Sequence, residues 1–197
     1  MDSEAPVFHV RYRLTNLGLS PLDLNWGIHP VLAITPQHRI DLPPCMGLVA
    51  QSSGSALGSV GEPYRWSTLP TGEDISRVLP FEADVFGGHY ATELQGNWLA
   101  LTNTEKRVGF GMTFPADIFH ALWIWQVYGG WRGLYQLAIE PWVGYPVRWE
   151  EALAAGRTHR LLPNDPVEYT VSAAAYTGIE RVSAIHSDGD KIRVLPR

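Results

Sequence analysis

Two short segments of the sequence each place a side chain that can transfer protons among aromatic residues. In the first, residues 25–30 (NWGIHP), His29 lies where a chain reversal can turn its ring towards a cleft. An imidazole titrates near neutral pH, so His29 can donate or accept a proton under ordinary conditions. Taken alone, this segment favours the simpler interpretation, in which His29 only hydrogen-bonds a carbonyl group of its own loop.

The second segment, residues 137–146 (LAIEPWVGYP), ends an apolar strand on Glu140 and continues at once with Pro141 and Trp142. Desolvation of a carboxylate in such surroundings raises its pKa, which makes it a stronger base. The alternative is a structural glutamate at a strand end that pairs with Arg132 or Arg148. This motif is also ambiguous when it is considered alone.

Strand patterns dominate the chain around these segments. Apolar and polar residues alternate over residues 8–15 and 167–176, which predicts half-buried strands. Further strands are predicted at 119–128 and 134–140, hairpins over 97–113 and 180–195, a flexible loop over 50–61, and one short helix over 148–155. One short helix among many strands predicts an all-β fold, specifically an antiparallel β-sandwich.

The strand that ends in Glu140 must present this residue to one side of its sheet. Successive side chains of a strand point to opposite faces, so Glu140 should share a face with Gln136 and Ala138. Leu137 and Ile139 should then point to the other face.

The composition predicts a packed globule in a single domain, residues 1–197, because hydrophobic residues make up 45% and charged residues only 18%. The net charge is −5 and the arginines are scattered, so a nucleic-acid partner is not expected. Cys45 is the only cysteine, and neither a leader peptide nor a membrane span is evident, which predicts a cytoplasmic protein without membrane contact. Eight Trp and eight Tyr suit sugar rings, but they also fill β cores.

The order and spacing of the two segments resemble the aldose 1-epimerase, or galactose mutarotase-like, family. The resemblance starts from Asn16-Leu17-Gly18 and residues 26–30, and continues in residues 122–130 (LWIWQVYGG) and 138–142 (AIEPW). In that family the histidine protonates the ring oxygen and the glutamate takes the proton of the anomeric hydroxyl. The resemblance therefore implies a supersandwich fold in which His29 is the acid and Glu140 the base, with no cofactor and no metal.

The resemblance also implies contacts to a small-molecule sugar. The candidates are aromatic and polar residues near the two segments or between them: Trp26, Asp84, His89, Tyr128, Trp142 and Arg148. Trp142 could stack on a pyranose ring. Asp84 or His89 could hold sugar hydroxyls, although for both residues the sequence favours an ordinary polar position in a loop. Arg148 could bind an anionic group on a substituted sugar, or it could be a surface charge or the partner of Glu140.

The resemblance extends over about residues 8–176 and corresponds to the C-terminal two-thirds of the usual domain. Family members usually begin with additional strands that supply an arginine and a second histidine. Three alternatives are therefore open: a fragment of a longer protein, a shortened variant of the fold, truncated at its N-terminus, or one half of an assembly that another chain completes. Sheet edges left open by missing strands would favour a homodimer. The functions left open are interconversion of sugar anomers, a non-catalytic carbohydrate-binding or regulatory domain, and a scaffold without a sugar site.

Overall fold

The computed structural model describes residues 6–189 and 191–197, and it is built mainly of antiparallel strands. Of the predicted turn at residues 187–190, the structure describes residues 187–189. The prediction that the chain has no leader peptide concerns its first residues, and residues 1–5 lie outside the described part. The strands are β1 (Val7–Leu14), β2 (Leu22–Leu24), β3 (Val31–Leu32), β4 (His38–Asp41), β5 (Met46–Ser52), β6 (Pro63–Arg65), β7 (Val85–Thr92), β8 (Trp98–Asn103), β9 (Val108–Thr113), β10 (Ala121–Tyr128), β11 (Tyr135–Trp142), β12 (His159–Leu161), β13 (Val167–Thr177), β14 (Val182–Asp188) and β15 (Lys191–Pro196). The α-helix is α1 (Trp149–Ala154), and 3-10 turns cover Ser55–Leu57 and Phe81–Ala83.

Two large sheets form the layers of a β-sandwich. The first sheet has five strands in the order β1-β13-β9-β8-β4, and the second has six in the order β3-β11-β10-β7-β5-β6. Side chains from both sheets, such as Leu99 and Val171 from the first and Ile124 and Ile139 from the second, meet in one buried hydrophobic cluster. The predicted all-β sandwich is therefore confirmed.

The core is built by the alternation of side chains along the strands. In β11, Leu137 and Ile139 lie in the hydrophobic cluster, and their neighbours across β10 include Ile124, which lies in it too. The intervening residues, Ala138 and Glu140, consequently point to the outer side of the six-stranded sheet. We call this outer side the Glu140 face. The prediction that Glu140 shares a face with Ala138, opposite Leu137 and Ile139, is confirmed.

Most of the strand predictions are confirmed. Strands β1, β10, β11 and β13 lie where the apolar patterns place them, the β8–β9 and β14–β15 hairpins form, and α1 lies within the predicted helix. The predicted loop at residues 50–61 is partly wrong, because β5 continues to Ser52 and pairs with β7.

A loop was also expected around Asp84 and His89, but β7 begins at Val85 and runs through the middle of its sheet. Gly87 and Gly88 of this strand make room for neighbouring side chains. A Cβ atom on Gly88 would lie 2.3 Å from the ring of Trp123, and one on Gly87 would lie 2.9 Å from Leu57. The glycines of β7 are thus packing positions rather than turn positions.

The β14–β15 hairpin packs on the outer side of the five-stranded sheet. Ile185 and Val182 form a small second hydrophobic cluster with Trp98 and Tyr176. The start of β14 is fixed by Asp41, whose carboxylate accepts hydrogen bonds from Arg181 Nε at 3.0 Å and from the backbone N–H of Val182 at 2.9 Å. This hairpin therefore has a defined place over the sheet.

Within the described parts of the chain, no helix has the length and apolar character needed to cross a membrane.

Candidate active site

Glu140 lies near the end of β11, between β10 on one side and the segment before β3 on the other. Its residue partner across β10 is Trp123, which lies on the same face. The Glu140 side chain is only 2% exposed. A carboxylate so deeply buried needs specific partners, because burying an unpaired charge is very costly.

His29 is brought to Glu140 by backbone pairing along the edge of β11 that lies opposite β10. Gly27 forms a bridge with Trp142, and the N–H of Ile28 donates to the carbonyl oxygen of Pro141 at 3.0 Å. A Cβ atom on Gly27 would lie 2.5 Å from the indole of Trp142, so only glycine allows this close approach. The chain then continues past His29 into β3, beside β11.

The outcome of this pairing is a direct contact between the two predicted proton-transfer residues. His29 Nε2 lies 3.3 Å from Glu140 Oε1. Half of the His29 side chain is exposed, at 49%, whereas Glu140 is almost entirely covered. A molecule approaching from solvent therefore meets the imidazole first. The alternative partners Arg132 and Arg148 are engaged elsewhere, with Trp131 and Glu151 respectively.

Two further features define the electrostatics of Glu140. Its Oε2 atom accepts a hydrogen bond from the indole N–H of Trp142 at 3.0 Å, whereas its buried Oε1 atom accepts no hydrogen bond. Desolvation raises the pKa of Glu140 above that of an ordinary carboxylic acid, while the Trp142 hydrogen bond and the charge of His29 act in the opposite direction. This balance yields a carboxylate that is more basic than one in water.

Aromatic rings surround the pair. The ring of Trp125 meets that of His29 edge to face, with 6.2 Å between centroids, and Trp131 packs against Trp125 at 5.1 Å. On the other side of Glu140, Trp123 packs against Tyr90 at 4.8 Å. Such a setting excludes water around the carboxylate and offers flat apolar surfaces.

The sequence pointed only partly to these rings. Trp123 and Trp125 are two residues apart in β10, which places both on the Glu140 face. Tyr90 follows from the pairing of β7 with β10, which the sequence pattern did not reveal. Trp131 belongs to the turn after β10, and no sequence signal marked it.

Of the residues predicted to contact a sugar, Trp142 lies in the site through its bond to Glu140. Trp26 is close in sequence but is turned away, because its indole N–H donates to the hydroxyl of Tyr169 at 2.9 Å and its ring packs on Phe119. Trp26 therefore supports the segment that carries His29 rather than facing a ligand.

Tyr128 and His89 lie on the core side of the six-stranded sheet, and both are completely buried. Tyr128 accepts a hydrogen bond from Gln126 Nε2 at 3.0 Å, and His89 Nδ1 lies 3.1 Å from the Tyr64 hydroxyl. The sheet itself separates both rings from the Glu140 face. Their placement argues against contact with a ligand at His29, because strand alternation directs them inward.

Asp84 lies apart from the pair. It precedes β7 by one residue, so about 20 Å of strand separates it from Tyr90, beside the site. The Arg148 side chain is 78% exposed and pairs with Glu151 at the start of α1, so it is not the partner of Glu140.

We expect replacement of Trp142 by phenylalanine to raise the pKa of Glu140. Phenylalanine keeps most of the ring but removes the N–H that donates to Oε2, and this hydrogen bond stabilises the charged form of the carboxylate. The measurement is an NMR titration of the side-chain carboxyl carbon of Glu140 in both proteins.

The control for this experiment is Trp149→Phe, which removes an indole N–H that donates to a backbone carbonyl, that of Asp23. This variant should leave the Glu140 titration where it is in the wild type. An unchanged pKa in Trp142→Phe would mean that the indole does not hold the carboxylate in solution.

In the part of the chain that the structure describes, no group of three or more His, Cys, Asp or Glu side chains is placed to hold a metal ion. The chemistry available at His29 and Glu140 themselves is proton transfer between side chains and a ligand.

No protein-family profile and no curated protein sequence matches this chain significantly. Solved structures do match. A candidate aldose 1-epimerase from Klebsiella pneumoniae is 14% identical, with a TM-score of 0.65 over 87% of this chain and 43% of that chain. A candidate aldose 1-epimerase from Escherichia coli K12 is 17% identical, with a TM-score of 0.63 over 87% of this chain and 56% of that chain.

A galactose mutarotase-like protein from Clostridium acetobutylicum is also similar, at 11% identity and a TM-score of 0.55, over 86% of this chain and 52% of that chain. These matches define the class: the chain has the galactose mutarotase-like fold, as the sequence resemblance implied. The chain spans about half of the length of these solved structures.

Proposed function

We propose that this protein interconverts the anomers of an aldose, with Glu140 as the base and His29 as the acid. The observation that supports the proposal most directly is the 3.3 Å contact between His29 Nε2 and Glu140 Oε1. Mutarotation requires proton transfer at two oxygens, the anomeric hydroxyl and the ring oxygen, and both are bonded to the same carbon. An acid and a base that serve them must therefore lie side by side.

The reaction follows from the charges of the pair. The Glu140 carboxylate takes the proton of the anomeric hydroxyl, while the His29 imidazolium gives a proton to the ring oxygen. The bond between the anomeric carbon and the ring oxygen breaks, and an open-chain aldehyde forms. After rotation about the next carbon–carbon bond, the ring closes on the other face and both protons return. No external oxidant or cofactor enters this sequence.

The burial of Glu140 suits its role as the base. Desolvation by burial raises the pKa of this carboxyl group, so it binds a proton more tightly than an ordinary carboxylate does. The exposed side of His29 gives the sugar access, and Trp125 beside it offers an aromatic face for the apolar side of a pyranose. Trp142 stays a candidate for stacking on the sugar as well.

Polarimetry of freshly dissolved α-glucose and α-galactose tests the proposal. The wild type should accelerate equilibration, and His29→Ala should lose about 100-fold or more of that acceleration. His186→Ala, an exposed histidine of the β14–β15 hairpin on the other sheet, is the control and should retain full activity. Absence of acceleration by the wild type with these sugars and with a panel of phosphosugars would refute the enzymatic function.

A second candidate function is carbohydrate binding without catalysis. The observation that favours it is the burial of Glu140 Oε1, which lies 3.3 Å from His29 Nε2. A sugar hydroxyl reaches this oxygen only if a side chain that covers it moves, and without that movement a sugar would contact His29 and the aromatic rings alone. Saturable binding of a sugar without faster mutarotation, and with equal affinity in wild type and Glu140→Gln, would identify this function.

A further inference from the structure

A second cleft lies on the outer side of the five-stranded sheet, away from His29 and Glu140. Its volume is about 650 Å³. The floor is formed by side chains of β1, β13 and β9, and one wall is formed by the β14–β15 hairpin. The polar residues of its lining include His9, Arg11, Thr113, Thr170, Ser172 and His186.

Strand register explains why polar side chains collect on this floor. His9 pairs with Ser172, and Arg11 pairs with Thr170, so these four residues share the outer face of β1 and β13. Ser172 in turn pairs with Thr113 of β9. The Nδ1 atom of His9 lies 2.7 Å from the Ser172 hydroxyl, which fixes the orientation of the imidazole.

The wall of the cleft is held by packing. Ile185 of β14 lies directly over Gly111, where a Cβ atom would come within 2.5 Å of its Cδ1 atom. The bonds from Arg181 and Val182 to Asp41 fix the beginning of the same strand. The hairpin therefore presents His186 and Ser187 to the cleft at a set distance from the sheet.

The charges of the lining are one-sided. Arg11 and the two histidines are basic, the remaining polar groups are neutral hydroxyls and an amide, and no acidic residue lines the cleft among the residues that the structure describes. The next residue on this face of β13, Glu168, is paired with Arg13 at 3.0 Å. In the hairpin, Arg193 lies across from His186, while Asp188, between the lining residues Ser187 and Gly189, lies across from Lys191. An arginine with flanking imidazoles and hydroxyls has the donors that a phosphate group requires.

We propose that this cleft binds a small organic phosphate, at a site separate from the His29–Glu140 pair. A bare phosphate ion would occupy only a small part of the volume, which lies in the range of sites for small molecules. The phosphate group would contact Arg11, His186 and the hydroxyl groups of the floor. The organic part would lie against Pro115 at the end of the cleft.

The test uses glycerol 3-phosphate, which has no anomeric centre and so is not a substrate for the proposed reaction. Isothermal titration calorimetry compares it with inorganic phosphate and with glycerol. We expect saturable binding of glycerol 3-phosphate, at least tenfold weaker binding of inorganic phosphate, and no binding of glycerol. In NMR spectra, the imidazole signals of His186 should shift as the organic phosphate is added.

Two variants locate the site. Arg11→Gln should weaken the binding of glycerol 3-phosphate at least tenfold, since it removes the arginine from the floor of the cleft. Arg65→Gln makes the same charge change on an exposed residue of β6, in the other sheet, and should change the affinity less than twofold. Glu140→Gln should bind as the wild type does, which separates this proposal from the proposed catalytic function.

Three results would overturn the proposal: no saturable binding of glycerol 3-phosphate, equal affinity in Arg11→Gln and wild type, or inorganic phosphate binding as tightly as the organic phosphate. The first would show that the cleft is not an anion site. The second would place the anion elsewhere on the molecule, and the third would show a site for the free ion alone.

Discussion

Replacement of Glu140 by glutamine should abolish nearly all of the acceleration of mutarotation, by about 100- to 10,000-fold. The amide has almost the same volume as the carboxyl group, and its oxygen can still accept the hydrogen bond from Trp142. It cannot take a proton from the anomeric hydroxyl near neutral pH. The measurement is the rate of approach to anomeric equilibrium, followed by polarimetry with the wild type alongside.

The fold should survive this substitution, because it removes a buried charge rather than a packed side chain. The thermal unfolding temperature of Glu140→Gln should accordingly lie close to that of the wild type. Glu105→Gln, in the exposed turn between β8 and β9, serves as the matched control and should keep full activity. A folded Glu140→Gln protein with undiminished activity would mean that another group accepts the proton.

The activity should also rise with pH through the titration of Glu140, since the base must be charged to act. Because desolvation raises the pKa of this group, the rise should occur at higher pH than for an ordinary carboxylate. Trp142 affects the same titration. If Trp142→Phe raises the pKa of Glu140, the rise of activity with pH should occur at a still higher pH in this variant.

The large sheets could be predicted in part because local patterns report burial. The apolar runs of β10 and β11 are buried strands in the structure, and the alternation in β13 predicted which of its sides faces the core. Strand β7 was missed, because Gly87 and Gly88 lack the side chains that make a pattern. Larger residues do not fit at these two positions, because the side chains of Trp123 and Leu57, from other parts of the sequence, occupy the space.

The contact between His29 and Glu140 could not be derived from local pattern at all. It depends on Gly27 and Ile28 running beside the end of β11, a pairing between segments that are far apart in the chain. Only the resemblance to a family joined the two motifs. Proximity in the sequence also gave a misleading candidate. Trp26 lies three residues before His29 and was expected to contact a sugar, but it packs towards Tyr169.

The burial of a polar residue is equally hard to predict from the local sequence. A polar residue such as His89, met in the sequence beside Gly-Gly, suggests a solvated loop, whereas its strand places it among core side chains. Nothing in the local sequence distinguishes the two, because the burial is created by β5 and β10 on either side. The burial of His89 makes the stability of the protein depend on pH.

The free energy of unfolding should fall as the pH is lowered towards 4, and His89 should account for a large part of the fall. Burial in the core lowers the pKa of His89 from 6.5 to about 4, because the charged imidazole would lose its hydration there. Between these pH values the unfolded chain binds a proton that the folded protein excludes. The stability contribution is therefore complete above pH 6.5 and is lost progressively down to pH 4.

A variant that cannot titrate isolates this effect. His89→Gln retains an acceptor for the Tyr64 hydroxyl, and about 2.5 kcal/mol of the stability lost by the wild type between about pH 7.5 and pH 4.5 should be absent from it. Urea unfolding at both pH values measures the difference. His186→Gln removes an exposed imidazole and should lose stability on acidification as the wild type does. Equal losses in wild type and His89→Gln would mean that the folded protein accommodates a charged His89, and hence that its core opens to water at this position.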